Sequence, residues 1–479
     1  MRPHIIIRYI GLVLLLCSGL MFASFLVSVY HADSAQIPLL LSCVLTGLMG
    51  VFPMVFVPSS GQISHKEGYV IVVASWILVC FFGMLPYALW GGEFSMINAW
   101  FESVAGFTTT GSTILKDVEA LPSGLLFWRS STHWLGGIGI ILFALVIVPA
   151  IGKVRMSLSR LEMSPLAKSN FHYKSNKTLQ VVILVYLGLT VAETILLYVS
   201  GMSLFDAVTH AFGTVATGGF STKNASVGYY NSVAIEVIIT VFMFLSGMHF
   251  GVLYVIFTFK RKKWYKSSIV QFYFFSMVIG IIVVTLNTWG HNYDSFSEAL
   301  RFAAFQVVSI GTTTGYGTAD TTLWPPFSVM LLIYFMFQCA CAGSTAGGIK
   351  VDRVVIFFKA LKRQVLKLQH PQAVIPVRLD GQPIDDETVE SVLLFIVLYI
   401  LILFTTGLAL TAMSVDVTTA FSASAATIST VGPGFGEVGS ASNYDIIPDL
   451  GKFLLSLNML LGRLEIFGLM LLIYMKSWR

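Results

Sequence analysis

Four short threonine- and glycine-rich signatures interrupt an otherwise apolar chain: TTTG (108–111), VATG (215–218), TTTG (312–315) and STVG (429–432). Their glycines, Gly111, Gly218, Gly315 and Gly432, stand 107, 97 and 117 residues apart, too even for chance and too long for a solenoid repeat. Thr109, Thr110, Thr217, Thr313, Thr314, Thr430 and Val431 share the signatures with them. These residue types offer no nucleophile–base pair and no metal cluster; they offer peptide and hydroxyl oxygen. Carbonyl oxygens in a ring replace the hydration shell of an alkali cation. Glycine admits positive φ and so lets consecutive carbonyls point the same way, while the threonines add hydroxyls below them. A backbone this polar cannot face lipid; at membrane depth it lines protein or a water-filled pore. One TTTG alone reads as a turn or packing glycine, whereas four in equivalent places read as one ring.

The elements that must hold such a ring are membrane helices. The chain has 479 residues, 56% hydrophobic and 11% charged, with mean hydropathy +0.81. A soluble domain carries about 25% charged residues, so the composition excludes that class. The first apolar stretch, residues 5–30, is long enough to span and too long for a signal peptide, so no cleavable leader is expected. A second helix follows at 37–57. Then one unit recurs four times. Outer helices are expected near 69–90, 179–200, 269–289 and 389–413. Short segments follow near 95–107, 203–214, 295–311 and 415–429, then the signatures, then inner helices near 124–150, 231–258, 327–358 and 450–475. The short segments cannot span and read as re-entrant helices. Ser95, Ser203 and Asp416 stand at their N-caps. Ala99, Ala207 and Ala420 precede their signature glycines by 12, 11 and 12 residues; Ala299 stands 16 ahead of Gly315, so either the third helix is one turn longer or the match there is fortuitous. Re-entrant helices aim C-terminal ends, each with roughly half a negative charge, at the cavity. The expected fold is therefore all-α integral membrane: two initial transmembrane helices plus four pseudo-symmetric helix–pore loop–helix repeats around one central pore. The divisions fall at 1–65, 66–175, 176–266, 267–385 and 386–479.

Two further features lie beneath the ring. The third inner helix is interrupted at 340–348 by ACAGSTAGG, which reads as a flexible plug, with a small-residue packing face as the plainer alternative. It is no nucleotide loop, because Ile349 separates Gly348 from Lys350. Arg463 stands mid-helix, too central to reach the interface, so it faces the pore or pairs with an acid; Glu465, two positions on, is off its face. Glu193 and Glu236 read as structural, as do His133, His210 and His249, which lack metal-ligand spacing. The five cysteines, all in apolar segments, read as packed thiols. Basic residues gather at 153–177, 260–266 and 350–378 and near both termini, which predicts those segments and both termini on the cytoplasmic side. The opposite side carries more acids than bases, either as ordinary solvation or as a cation-concentrating mouth.

The third signature, with Tyr316 and Gly317, approaches the TVGYG run of tetrameric potassium channels, and Thr430, Val431 and Gly432 match its first half. AGFTTTGST (105–113), TVATGGFST (214–222), VVSIGTTTGYGTAD (307–320), STVGPGFGEVG (429–439), CAGSTAGGIK (341–350) and LNMLLGRLEIFG (457–468) carry a wider likeness. On these motifs the whole chain resembles the Trk/Ktr/HKT superfamily of potassium transporters, most nearly the bacterial Trk-type potassium uptake subunit. The resemblance implies filter glycines at Gly111, Gly218, Gly315 and Gly432, and K+ as the transported ion, since sodium-passing members tend to have serine at the place of Gly111. It implies an intramembrane gating loop containing Gly343, Ser344, Thr345, Gly347, Gly348 and Lys350, with Arg463 as a pore-lining charge. It further implies a multi-pass protein of the bacterial cytoplasmic membrane, a homodimer docked on a cytosolic nucleotide-binding regulatory ring, and no enzymatic activity. The basic inner loops would suit that docking or anionic lipid headgroups equally; no nucleic-acid partner is expected. The nearest rival is a proton- or sodium-coupled potassium symporter, for which Glu193 and Glu236 are the candidate carboxylates. An intramembrane enzyme would need a nucleophile–base pair or metal cluster, and none is present.

Overall fold

The computed structural model describes residues 2–58, 65–150, 175–257 and 264–466. The basic stretch expected at 153–177 falls almost wholly outside these residues, as do most of 260–266 and the C-terminal Lys476 and Arg479. The chain opens with an antiparallel hairpin, Pro3–His31 and Gln36–Phe56. Its helices cross closely because Gly11 meets Gly50: a methyl on Gly11 would stand 2.8 Å from the Gly50 carbonyl oxygen. Asp33, in the connecting turn, accepts a hydrogen bond from the Gly124 backbone N–H at 2.9 Å, which ties the hairpin to the long helix beginning at Ser123.

Then one order of elements recurs. The long outer helices are His65–Gly83 with Leu85–Trp90, then Ser175–Val199, Ser268–Thr288 and Asp386–Ala412. Each is followed by a short helix: Met96–Phe107, Leu204–Val215, Phe296–Gly311 and Val417–Ile428. The third of these has 16 residues and the others 12, the extra turn that is one of the two readings of the Ala299 spacing. Ser95, Ser203 and Asp416 accept backbone N–H bonds from Asn98, Asp206 and Thr419, as N-caps do. Among the described residues, six helices are long and apolar enough to cross a membrane. Large apolar side chains such as Leu16, Phe52, Leu184, Phe275 and Leu401 are exposed on the outside, while Thr109, Glu102, Arg129 and Arg463 are buried. Polar inside and apolar outside is the arrangement a lipid environment selects.

Among the described residues three of the four inner helices are interrupted, the third where the small-residue run predicts it. The first, Ser123–Ala150, is continuous. The second breaks into Val233–Ser246 and Phe250–Phe257, bent by 111°. The third stops at Phe337 and resumes at Val351, a wider gap than 340–348. The fourth, Asp449–Arg463, is interrupted at Leu464 and Glu465, where Glu465 takes a left-handed φ of 55°, and Ile466 is helical again; the stretch expected up to 475 lies outside the described residues. Glu236 forms a 2.6 Å ion pair with Arg301, the structural role expected of it. Glu193 is fully buried with neither carboxylate oxygen in a hydrogen bond. The five cysteines are free thiols.

Two glycines set how closely inner helices press on the ends of the short helices. A methyl on Gly136 would stand 2.0 Å from the Phe107 carbonyl oxygen, and one on Gly462 2.0 Å from that of Ile428. Gly136→Val should therefore lower the thermal midpoint of the detergent-solubilised protein, since overpacking costs about 1–3 kcal/mol. Gly19→Val, at a site with no neighbouring atom within 4 Å, should leave it unchanged or slightly raised; scanning fluorimetry of the two variants checks this.

Candidate functional site

The four signatures adopt one backbone conformation. At the end of each short helix a threonine turns left-handed: Thr109, Thr217, Thr313 and Thr430 have φ of 53°, 55°, 59° and 56°. Positive φ in a β-branched residue is a true outlier, of the kind that gathers at functional sites. The turn closes as a Schellman-type cap. The Thr109 N–H donates to Gly106 O at 3.0 Å and that of Thr110 to Ala105 O at 2.9 Å. The same pair of bonds recurs from Thr217 and Gly218, from Thr313 and Thr314, and from Thr430 and Val431. With the N–H groups turned back onto the short helix, the following carbonyls are free to face forward.

A second left-handed residue follows two positions later, and it is always glycine: Gly111, Gly219, Gly315 and Gly432, with φ of 80°, 83°, 79° and 99°. The second signature is thus registered one residue later than its four letters imply. Gly219 holds the place of Gly111, and Gly218 holds that of Thr110, Thr314 and Val431. A signal was present, because Ala207 stands 12 residues before Gly219, matching Ala99 to Gly111 and Ala420 to Gly432.

These glycines are where the loops meet. A methyl on Gly111 would stand 2.1 Å from Gly218 O, one on Gly219 2.0 Å from Thr314 O, one on Gly315 2.0 Å from Val431 O, and one on Gly432 2.4 Å from Thr110 O. The sequence of contacts runs first loop to second, second to third, third to fourth and fourth back to first, so the loops close a circle. Below it, the hydroxyls of Thr109 and Thr430 are buried and have no hydrogen-bond partner among the described residues. Buried orphan hydroxyls beside convergent carbonyls fit a hard cation. The Gly432 carbonyl itself is engaged by the Tyr444 hydroxyl at 2.7 Å and the Ser112 hydroxyl at 3.1 Å, so it braces the loop from behind.

Each loop is anchored differently. In the first, Glu102 accepts from the Thr113 hydroxyl at 2.9 Å, the Ile114 N–H at 3.1 Å and Arg129 Nε at 2.8 Å, with both charges buried. Arg129 also donates to Ser221 O of the second loop at 3.2 Å and lies 4.0 Å over the Phe220 ring. His210 reaches the Ser221 hydroxyl at 2.9 Å. The Ser309 hydroxyl donates to Tyr316 O at 2.7 Å, and the Ser422 hydroxyl holds both peptide groups of Phe435.

Directly beneath the circle lies the segment between the halves of the third inner helix. Its base is closed by backbone bonds from Cys339 N–H to Ile349 O at 3.1 Å and from Val351 N–H to Ala340 O at 3.0 Å. Its tip touches the circle: Gly347 N–H donates to the Thr313 hydroxyl at 3.3 Å, and a methyl on Gly347 would stand 2.0 Å from that of Thr430. The Thr345 hydroxyl donates to Val215 O at 3.1 Å. Ser344 bonds within the loop to Cys341 O, and Gly348, at φ 64°, packs against the Cys339 thiol. The bend in the second inner helix receives this segment, with bonds from Cys341 N–H to Gly247 O and from Phe250 N–H to Gly343 O, while Gly343 abuts the His249 ring. Arg463 locks it from the other side, donating to Thr345 O at 2.5 Å and Gly136 O at 2.9 Å. Among the described residues no carboxylate pairs with Arg463. Glu465 instead pairs with Lys350 at 3.2 Å and with Arg353, which places Lys350 at the segment's root rather than under the circle.

Above the circle is an open mouth lined by residues that include Gly111, Gly315, Gly432, Ser221, Ser440 and Tyr444. Among the described residues, the charged side chains lining it are Arg129 and Lys223, with no acid. The nearby acids are spoken for: Glu119 pairs with Lys223 at 3.7 Å and Asp445 with Lys116 at 2.8 Å. Ordinary pairing and solvation, the plainer of the two sequence readings, describes them.

Residues 48–478 match the cation transport protein family TrkH. The chain is 36% identical to the Trk system potassium uptake protein TrkH of Salmonella typhimurium, over the full length of both chains. It is 33% identical to TrkG of Escherichia coli, covering 87% of this chain and 86% of that one. The crystal structure of the potassium transporter TrkH from Vibrio parahaemolyticus superposes over all of both chains with a TM-score of 0.90 at 34% identity. The likeness spans the initial hairpin, all four signatures and the interrupted helix alike, and the chain belongs to the TrkH family of cation transport proteins.

Proposed function

We propose that this chain takes up potassium across the bacterial cytoplasmic membrane by a channel-like path. Its two initial transmembrane helices are followed by four pseudo-symmetric helix–pore loop–helix repeats around one central pore. The observation that carries this reading is the closed circle of contacts through Gly111, Gly219, Gly315 and Gly432. A K+ ion entering from the outer mouth sheds water and takes peptide oxygens at Thr110, Gly218, Thr314 and Val431, with the Thr109, Thr217, Thr313 and Thr430 hydroxyls below. The C-terminal ends of the short helices add a favourable field of up to about 1–2 kcal/mol each. Residues 343–348 and Arg463 then form the gate, and with the segment tip against the circle that gate is closed. The relatives' names support potassium uptake; the homodimer of pores, the cytosolic nucleotide-binding ring and both termini on the side of that ring belong to the same proposal, on the resemblance and the placement of basic residues.

One observation favours a second reading. Among the described residues Glu193 is a buried carboxyl with no hydrogen bond to either oxygen, the type of group a proton-coupled symporter needs. In sealed vesicles holding purified protein, rubidium uptake should follow the membrane potential and ignore an imposed pH or sodium gradient. Gradient-driven uptake lost in Glu193→Gln would establish symport instead.

Two variants test the path itself. Gly315→Ser adds a side chain where φ is 79° and where the Val431 carbonyl leaves no room. It should reduce the rubidium-to-sodium uptake ratio at least about tenfold, the equivalent of about 1.4 kcal/mol; wild-type selectivity in this variant would refute the filter. Arg463→Ala removes the bond to the loop at Thr345 O and the bond to the first inner helix at Gly136 O, and should raise basal rubidium leak in the same vesicles, with selectivity retained. An unchanged or lower leak would remove Arg463 from the gate.

A further inference from the structure

We propose that His133, held as a single tautomer, is the positioning residue for the second filter loop and a determinant of ion selectivity; this rests on the filter reading above. Its ring is fully buried on the first inner helix, one turn beyond Arg129 and on the same face. Nδ1 lies 2.8 Å from the Gly106 carbonyl oxygen and Nε2 lies 3.1 Å from the Phe220 backbone nitrogen. A carbonyl can only accept and a peptide N–H can only donate. The ring therefore carries its proton on Nδ1 and offers a lone pair at Nε2. One imidazole thus joins the end of the first short helix to the backbone just beyond Gly218.

The reason a histidine is needed there lies in the shifted register of the second loop. At the place of Gly218 the other three loops carry side chains, those of Thr110, Thr314 and Val431, which pack each loop from the side. Gly218 has none. A methyl built on it would stand 2.5 Å from His133 Cγ and 2.7 Å from Nδ1 and Cδ2, so the imidazole occupies the room a side chain would fill. It also packs on Phe220 at 4.2 Å between ring centroids. The second loop thus borrows its lateral support from the neighbouring repeat, and the support fixes the Gly218 carbonyl, which faces Gly111. Arg129 assists through Ser221 O and the Phe220 ring, but His133 is the group that touches Gly218 itself.

The test uses full-length protein in vesicles, with rubidium and sodium uptake measured for wild type, His133→Gln, His133→Phe and Gly315→Ser. Glutamine can present an amide N–H to Gly106 O and an oxygen to the Phe220 N–H; phenylalanine keeps the shape and loses both bonds. His133→Gln should keep the selectivity ratio within about twofold and His133→Phe should lower it about tenfold, since a stranded buried N–H shifts the loop. In parallel, ¹⁵N spectra of histidine-labelled wild-type protein, assigned by difference against His133→Gln, should show His133 protonated at Nδ1 and not at Nε2. Wild-type selectivity in His133→Phe while Gly315→Ser loses it overturns this proposal and spares the filter. Wild-type selectivity in both overturns the filter reading as well. If His133→Phe protein does not accumulate, the spectrum decides: an Nε2–H tautomer overturns the proposal and an Nδ1–H tautomer supports it.

Discussion

The centre of this molecule depends on keeping four threonines in a backbone region that β-branched residues avoid. Each left-handed threonine costs on the order of 1–3 kcal/mol, and such strain persists only where the surroundings over-determine it. Here they do. Two cap bonds hold each turn to its own short helix, and each following glycine is pressed against a carbonyl of the next loop. The strain has a geometric product. Turning Thr109, Thr217, Thr313 and Thr430 left-handed sends the N–H groups backward and the carbonyls forward, which a continued helix could not do. A glycine in those places would relieve the strain and remove the hydroxyls below the circle. Threonine keeps both the turn and the oxygen.

The circle is regular in its backbone and irregular in its supports. The first loop leans on a buried Glu102–Arg129 pair, the second on His210 and His133, the third on Ser309 and the fourth on Ser422 and Tyr444. A single chain permits this, because each loop can be braced by whatever its own neighbours supply. Arg129 shows the consequence: it is satisfied by Glu102 and Thr113 of the first loop and Ser221 of the second, so two loops share one charge pair. Breaking a buried pair of this kind costs about 3–5 kcal/mol, which couples the position of one loop to that of the next.

Much of this was legible in the sequence, for identifiable reasons. Helix length and apolarity followed from composition, the re-entrant elements from segments too short to span, and their starts from Ser95, Ser203 and Asp416, because a capping side chain acts on local backbone alone. The longer third short helix was one of the two readings of the Ala299 spacing. What escaped depended on contacts between distant parts of the chain. Gly219 is hidden because VATGG offers two glycines, and only the 12-residue spacing from Ala207 favours the second, which φ then confirms. Glu465 is off the face of Arg463, as their spacing predicts, yet its partners, Lys350 and Arg353, lie more than a hundred residues away. The 111° bend in the second inner helix falls between Gly247 and Gly251, glycines from which the sequence predicts bending; what it does not disclose is that the third repeat's segment docks into the bend.

That docking bears on how the lower segment could move. It is held at its root by two backbone bonds within the third repeat, at its side by Gly247 and Phe250 of the second, and at its tip by Thr313. Arg463 of the fourth repeat and Gly136 of the first complete the enclosure. Every repeat therefore contributes, and none of the bonds at the tip or to Arg463 is an ion pair. Among the described residues Arg463 donates to two carbonyls and to no carboxylate, and its Nε has no partner, so its charge is partly solvated and not neutralised. Withdrawing the segment would strand Thr345 O and one guanidinium nitrogen unless water or the ion's own hydration entered in their place. The Lys350–Glu465–Arg353 cluster ties the root of the segment to the end of the fourth inner helix by charge pairs, whereas the tip and the Arg463 contact rest on neutral acceptors.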